Sequence, residues 1–327
     1  MNTTISVVIV TRNRPEELGR CLDRVLCQST PPLEIIVVDS SDTSEAAGVA
    51  VQYAARGDVP LRVLRTTPGV AAQRKAGVEN ARGEVVLYLD DDVLVEPDFI
   101  CEINRVFQLY GDRGIGGVTG HDVSIRRPFP LSFSSVARTI FLLSKLGNGR
   151  FRLSGLHTSA NGLRGIRPVE FLGGAFTAYR AEVLRQLPPD GERFPTTAFD
   201  DVDLSYRVSR AYQNYYTEYA RCRHVPSPKN RPNPDKYRRD MEEAYARHYE
   251  KNIPPTIVHR WAYALASAGL RWDLHRLTGK DFAARALRRL LGAGAYTRLR
   301  VLHRFLCGQR VIERITDGNS PPRNCKR

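Results

Sequence analysis

The chain has 327 residues, 42 % of them hydrophobic, enough to bury one large core with a smaller appended unit. Its six cysteines are dispersed without C-x-x-C spacing, which indicates neither a zinc site nor a disulfide framework and fits a reducing cytoplasm. The net charge of +14 is uneven: 21 Lys or Arg against 9 Asp or Glu from Arg231 onward, 28 against 26 before it.

The opening "MNTTISVVIVTRNRP" has no basic n-region and too short an apolar run for a signal peptide, and no stretch reaches transmembrane length. Short β-branched runs then predict strands over Ile5–Val10, Leu33–Asp39, Leu61–Arg65, Glu84–Asp90 and Ile115–Gly120. Between them, stretches entered through Pro, Gly or a capping side chain predict helices over Glu16–Gln28, Ser44–Ala55, Val70–Ala81 and Pro97–Tyr110. Near-continuous apolar strands separated by helices imply an α/β fold whose mostly parallel sheet is covered on both faces.

Ligands of such sheets bind beyond the carboxyl ends of the strands. Three polar groups fall there: Thr11, Arg12 and Asn13; Asp39 to Asp42; and Asp90, Asp91 and Asp92. All three are expected to face one crevice. Three adjacent carboxylates repel unless cations neutralise them. On an extended segment Asp90 and Asp92 would point the same way, which suits two oxygen ligands converging on Mg2+ or Mn2+ shared with a diphosphate.

From Ser124 to Arg167 there are eight Arg or Lys and no Asp or Glu, which reads as a basic insertion with a short helix in "VARTIFLLSKL" (Val136–Leu146). Val169–Leu187 predicts a strand, a glycine turn and a helix. "DDVDLSYRVSRAY" begins a further helix whose acidic first turn suits the helix dipole. "SPKNRPNP" (Ser227–Pro234) reads as a linker. Beyond it the chain reads as helical, with an apolar stripe from Phe282 to Phe305 interleaved with arginines, and a frayed end from Gly318.

"VVIVTRNRPEEL", "IIVVDSSD", "PGVAAQRKAGVENARGEVVLYLDDDV" and "FDDVDLSYRVSRA" together resemble the ordered motifs of family 2 glycosyltransferases of the GT-A fold. The resemblance covers about the first 225 residues and implies a GT-A domain over 1–226, with a nucleotide-binding half (1–120) and an acceptor half (121–226). A basic helical extension follows over 235–327. It implies that Thr11, Arg12, Asn13 and Arg14 line the nucleotide site and that Asp39 holds the base. Asp90 to Asp92 would form the D-x-D element that engages ribose, metal and diphosphate. Arg74 would contact that cluster or the diphosphate, and His224 would join Asp90 and Asp92 around the metal.

Asp201 aligns with the catalytic aspartate as general base, and Asp200 replaces the family's glutamate. Gly173 and Gly174 correspond to the acceptor-side turn. Taken alone, Asp39, Asp200 and Asp201 could equally be helix caps, Arg74 a structural ion pair and His224 a structural histidine.

The implied activity is metal-dependent, inverting transfer from a UDP-, dTDP- or GDP-sugar to a glycan or polyprenyl-diphosphate-linked acceptor in cell-surface polysaccharide synthesis. No Q-x-x-R-W motif precedes Trp261 or Trp272, which favours addition of one or a few sugars. The basic segments suit peripheral contact with an anionic membrane on its cytoplasmic face. No nucleic-acid recognition motif accompanies the charge, so no nucleic acid is expected. Two alternatives are a haloacid dehalogenase-like phosphatase, disfavoured by Leu94 two residues past Asp92, and an inactive membrane- or glycan-binding protein, disfavoured by the retained aspartates.

Overall fold

The computed structural model describes residues 3–57, 59–125, 139–143, 147–194, 199–229 and 233–278. The expected stripe from Phe282, the tail from Gly318 and most of the helix at Val136–Leu146 lie outside these residues.

Strand β1 (Ile5–Thr11) runs parallel between β2 (Glu34–Asp39) and β4 (Val85–Asp90), and β3 (Leu61–Arg65) continues the parallel sheet beyond β2. The two faces explain the apolar runs. Ile5, Val7, Ile9, Ile35, Val37, Val85, Leu87 and Leu89 pack into one core, and Val8, Ile36, Val38, Val86 and Tyr88 into another. A fully buried Val, Leu or Ile contributes about 1.5–3 kcal/mol each, which makes these strands the rigid floor of the molecule.

The first core is closed by α1 (Pro15–Leu26), α2 (Glu45–Ala54) and α4 (Phe99–Tyr110), the second by α3 (Val70–Asn80). Helix α3 lies close against β1: a Cβ on Gly77 would sit 2.3 Å from Val8 Cγ1, so only glycine allows this approach. That approach brings Gln73 and Arg74 over the strand ends.

Beyond β4 the sheet is mixed. The described strand order is β3-β2-β1-β4-β8-β6-β9-β5, with β7 (Ile166–Val169) also pairing β9. Strand β8 (Phe176–Arg180) runs antiparallel to both β4 and β6 (Ile115–Asp122). Strand β9 (Gln213–His224) is parallel to β6 and antiparallel to β5 (Val93–Val95) and β7. The short β5 has no signal in the sequence apart from three apolar residues after the aspartates. Its register, with Val93 opposite His224, brings Asp92 to that histidine.

After β8 come α5 (Ala181–Gln186), α6 (Asp200–Ala211), α7 (Pro234–Asn252) and α8 (Ile257–Thr278). Helix α7 is capped by Asn233, whose side chain accepts from Lys236 N at 2.7 Å, with Pro234 at the first helical position. Phe194, Phe199, Val202, Ala244, Tyr245 and Ala266 form a third core that packs α6, α7 and α8 together. Met1–Arg271 form one compact unit and Trp272–Arg327 a second.

No helix among the described residues is long and apolar enough to cross a membrane. Among the described residues Cys21, Cys101 and Cys222 are free thiols.

Candidate active site

The register of the parallel strands aligns their carboxyl ends, with Thr11 paired to Asp39 and Val10 to Asp90. The three polar groups therefore meet, as the sequence suggests, and they are knit directly to one another. Asn13, in the left-handed region at φ 53, donates its N–H to Ser41 Oγ at 2.7 Å and exchanges side-chain and backbone bonds with Asp42 at 2.7 and 2.8 Å. Arg12 lies 3.3 Å from Asp42 at the exposed rim.

Asp39 is fully buried, and both its oxygens are engaged, by Ser41 N at 2.8 Å and Arg65 Nη1 at 2.5 Å. Gln73 Nε2 bridges Thr11 O and Val38 O at 3.0 and 2.8 Å, tying β1 to β2. Neither Arg65 nor Gln73 stands out in the sequence. Their signal is only position, a cation ending β3 and an amide one residue before Arg74.

The acidic triplet is not the extended segment expected. Strand β4 stops at Asp90 and the chain turns into β5, so the three carboxylates point to three different cationic side chains. Asp90 Oδ1 accepts from Arg74 Nη2 at 3.1 Å. Buried Asp91 accepts from Thr11 Oγ1 at 2.7 Å and from Arg14 Nη1 at 3.0 Å. Asp92 lies 3.0 Å from His224 Nε2 and 3.4 Å from Arg14, and accepts from Ser227 N at 3.1 Å. Arg74, Arg14 and His224 disperse the like-charge repulsion, with Arg14 shared between Asp91 and Asp92.

Burial dominates at Asp91 and pushes its carboxyl up to about 7 despite Arg14 and Thr11. At Asp92 the cost of burial is outweighed by the bonds from His224 and Ser227 N, and its carboxyl stays below the usual range. The hydrogen bond to Asp92 raises His224 in turn.

Among the described residues no three His, Cys, Asp or Glu side chains group as a metal site. Asp90 turns to Arg74, so the expected ligand set reduces to Asp92 and His224. That pair fits a divalent ion: one carboxylate and one imidazole, 3.0 Å apart, match two adjacent ligands at bonds of about 2.1 Å set at a right angle. The remaining positions are those Mg2+ or Mn2+ ordinarily fills with water and substrate phosphate.

The stretch Ser227–Lys229, read in the sequence as the start of a linker, is bound to this cluster. Ser227 Oγ donates to Glu17 at 2.9 Å, Lys229 Nζ lies 3.3 Å from Glu16, and Arg14 Nη2 donates to Lys229 O at 2.9 Å. Its polar, proline-rich composition describes a backbone without regular structure, which is not the same as one without partners.

Arg74 joins this half of the site to α6. It is buried, and it donates to Asp200 Oδ2 at 2.6 Å, Asp90 Oδ1 at 3.1 Å and Gly174 O at 2.7 Å. A Cβ on Gly174 would lie 2.8 Å from Arg74 Nη1 and 3.0 Å from Asp201 Cβ, so this glycine makes room for the guanidinium. A Cβ on Gly173 would meet nothing within 4 Å.

Asp200 is buried and paired to Arg74, while Asp201 is only partly buried, with Oδ1 on Val202 N at 2.8 Å and Oδ2 on Gly174 N at 3.2 Å. Burial raises both carboxyls, opposed by Arg74 in each case. Phe199, immediately before them, holds φ 65, a conformation costing about 1–2 kcal/mol for a bulky residue. Its stacking on Tyr245 at 5.7 Å and its burial in the third core hold it there. Left-handed Phe199 sets the angle at which Asp200 and Asp201 enter α6.

A cavity of about 470 Å³ lies apart from these residues, lined among others by Phe151, Tyr206, Arg210 and Ile253. None of the carboxylates described above lines it, and the geometry of charge, not cavity size, identifies the site.

The description "Glycosyltransferase like family 2" fits residues 2–245. A glucosyl-dolichyl phosphate glucuronosyltransferase of Haloferax volcanii is 31 % identical over 134 residues, 39 % of this chain and 43 % of that protein. This chain spans less than half the length of the curated relatives it matches first. Among solved structures, a mannosyltransferase of Pyrobaculum calidifontis in complex with GDP-Man and Mn2+ aligns at TM-score 0.55 and 19 % identity, over 95 % of this chain and 87 % of that one. GalNAc-T7 with UDP, GalNAc and Mn2+ aligns at TM-score 0.58 and 15 % identity, over 86 % and 58 %. At these identities the structures establish a shared fold.

Proposed function

The chain belongs to glycosyltransferase like family 2, and from that premise we propose that it transfers a sugar from a nucleotide-diphosphate sugar to an acceptor hydroxyl, inverting the anomeric centre. The observation that carries this reading is the Arg74 bridge, which joins the acidic end of β4 to the start of α6. It gathers a D-x-D element and a candidate base, distant in sequence, into one cluster.

Thr11, Arg12, Asn13, Arg14 and Asp39 form the donor side, with Arg12 at the rim and buried Asp39 and Asp91 shaping the loops from within. Asp92 and His224 would hold Mg2+ or Mn2+, and such an ion supplies charge compensation for the departing nucleoside diphosphate. Two structural neighbours solved with a nucleotide or nucleotide sugar and Mn2+ support the use of a divalent ion.

Asp201 is the general base. It is partly exposed, anchored by two backbone N–H groups, and raised above the usual carboxylate range by burial, which makes it a stronger proton acceptor. It takes the proton of the acceptor hydroxyl as the new C–O bond forms and the bond to the diphosphate breaks on the opposite face. Asp200, locked to Arg74, orients the turn rather than meeting the acceptor.

We assign residues 1–120 to the donor half, 121–226 to the acceptor half and 235–327 to a basic extension. The donor is a UDP-, dTDP- or GDP-sugar. The acceptor is a glycan or polyprenyl-diphosphate-linked saccharide destined for the cell surface, and the dolichyl phosphate in the Haloferax relative's name supports a lipid-linked acceptor. We place this activity in the cytoplasm, at the membrane face, a reading supported by the dispersed cysteines and the basic segments of the sequence.

The test is incubation with Mg2+ or Mn2+ and a panel of UDP-, dTDP- and GDP-sugars, read by donor hydrolysis and thermal shift. At least one donor should respond in a metal-dependent way; silence from every donor with both metals sinks the proposal.

A further inference from the structure

A surface helix ordinarily sets polar residues opposite its core stripe, and a helix apolar all round is ordinarily buried all round. Helix α8 does neither between Ile257 and Arg271. Its inner side is packed: Ala262 and Ala266 are buried, and a Cβ on Gly269 would strike Phe141. Its outer side carries Ile257, Val258, Trp261, Ala264, Leu265 and Ala268, every one exposed. At 3.6 residues per turn they fall within an arc of about 120°. Ile257 and Trp261 are each 74 % exposed, so the apolar side chains stand out into solvent instead of folding back.

The charge that α8 itself contributes around this arc has one sign. From Asn252 to Arg271 there is no Asp or Glu. Arg260 and Arg271 border the arc on one side, both exposed, Arg271 lying 3.6 Å from Glu242 and Arg260 making no ion pair among the described residues.

We propose that the outer face of α8 docks on an anionic bilayer surface, with Ile257, Trp261 and Leu265 seated at headgroup level and Arg260 and Arg271 on the lipid phosphates. Charge complementarity selects this occupant. A basic-rimmed apolar face on a chain of net charge +14 is drawn to anionic lipid, and tryptophan, apolar in body with a polar N–H, is suited to the interface. A second copy of the chain would have to bring the same basic rim against itself, because a two-fold interface pairs each patch with its own image. The proposal concerns where the protein sits and does not rest on sugar transfer.

The experiment is co-sedimentation of the full chain with vesicles of phosphatidylcholine alone and of phosphatidylcholine with an equal part of phosphatidylglycerol. Tryptophan emission is read in a Trp272→Phe background, which leaves Trp261 as the sole tryptophan. Binding and a blue shift are expected with anionic vesicles and little of either with neutral ones. Trp261→Ser with Leu265→Ser should weaken binding by tenfold or more, an order-of-magnitude expectation from the apolar area lost. Arg260→Glu should weaken it about tenfold on anionic vesicles only.

Melting temperature and any donor-dependent thermal shift should stay unchanged in these variants, since all three side chains are exposed and outside the site. Absent co-sedimentation with unshifted emission, or full binding by the double variant, overturns the proposal. So does dimerisation in sedimentation velocity that the double variant abolishes while vesicle binding is absent, which would assign the face to a second copy.

Discussion

Arg74 Nη1 lies 2.6 Å from Asp200 Oδ2, and both side chains are 5 % exposed. A pair so enclosed has already lost the hydration of two charges, so its value lies in what happens when one partner is removed. The other then remains buried and uncompensated.

Arg74→Met should therefore destabilise the fold by about 3–5 kcal/mol, the usual cost of breaking a buried pair. Adding Asp200→Asn should recover part of that loss, because the stranded carboxylate is gone. Chemical denaturation of the two single variants and the double variant measures the coupling, and purely additive losses would contradict the clamp.

Asp201→Asn keeps the size and the Oδ1 acceptor of the side chain while removing its basicity. Transfer should fall by roughly 10²- to 10⁴-fold, with metal-dependent nucleotide binding nearly intact. Steady-state rates beside donor titration by calorimetry separate the two. Full transfer by this variant would assign the base elsewhere.

Asp92→Asn and His224→Ala each remove one of the two paired donors proposed for the ion. Both should abolish the stabilisation by Mn2+ with nucleotide diphosphate that is expected of the parent, and so weaken donor binding as well as transfer. A thermal shift in Mn2+ alone, then in Mn2+ with UDP or GDP, reads this directly. Arg12→Ala, at the rim, should leave the metal-dependent part unchanged.

His248 offers a pH test far from the chemistry. It is fully buried on α7, with Nε2 3.2 Å from Gly155 O and Nδ1 3.1 Å from Asn252 Nδ2. The carbonyl requires an N–H at Nε2, and the amide can then donate to Nδ1, an arrangement that suits the neutral ring. Burial lowers the imidazole to about 4 from the ordinary 6.5.

Between those values the unfolded chain holds a proton that the folded protein does not, so stability is complete above about 6.5 and declines as pH falls toward 4. The decline amounts to about 3 kcal/mol over this window. Denaturant unfolding across this range should show it, and His248→Phe should flatten the curve. An unchanged slope in that variant would locate the titration in another group.

Much of the fold was legible because the signals are local. Strands β1, β2 and β4 are apolar on both faces and could not be stable in water, and Pro15 and Gly69 mark where helices begin after β1 and β3. The placement of Thr11, Asp39 and Asp90 at strand ends follows from the same alternation. Strand β5 escaped notice because three residues carry too little periodicity.

The sequence by itself determined which residue types stand at the carboxyl edge of the sheet: three aspartates after β4, a basic loop after β1 and an acidic start to α6. Only the tertiary structure decided how those charges divide. Which aspartate meets Arg74, Arg14 or His224 depends on a turn at Asp91, on the approach that Gly77 and Gly174 permit, and on β9 lying beside β5. Burial and ion pairing are properties of separations of a few ångströms between segments far apart in the chain, and no local pattern encodes them. The same holds for α8, where which apolar residues stand exposed is decided by neighbours that cover only one side.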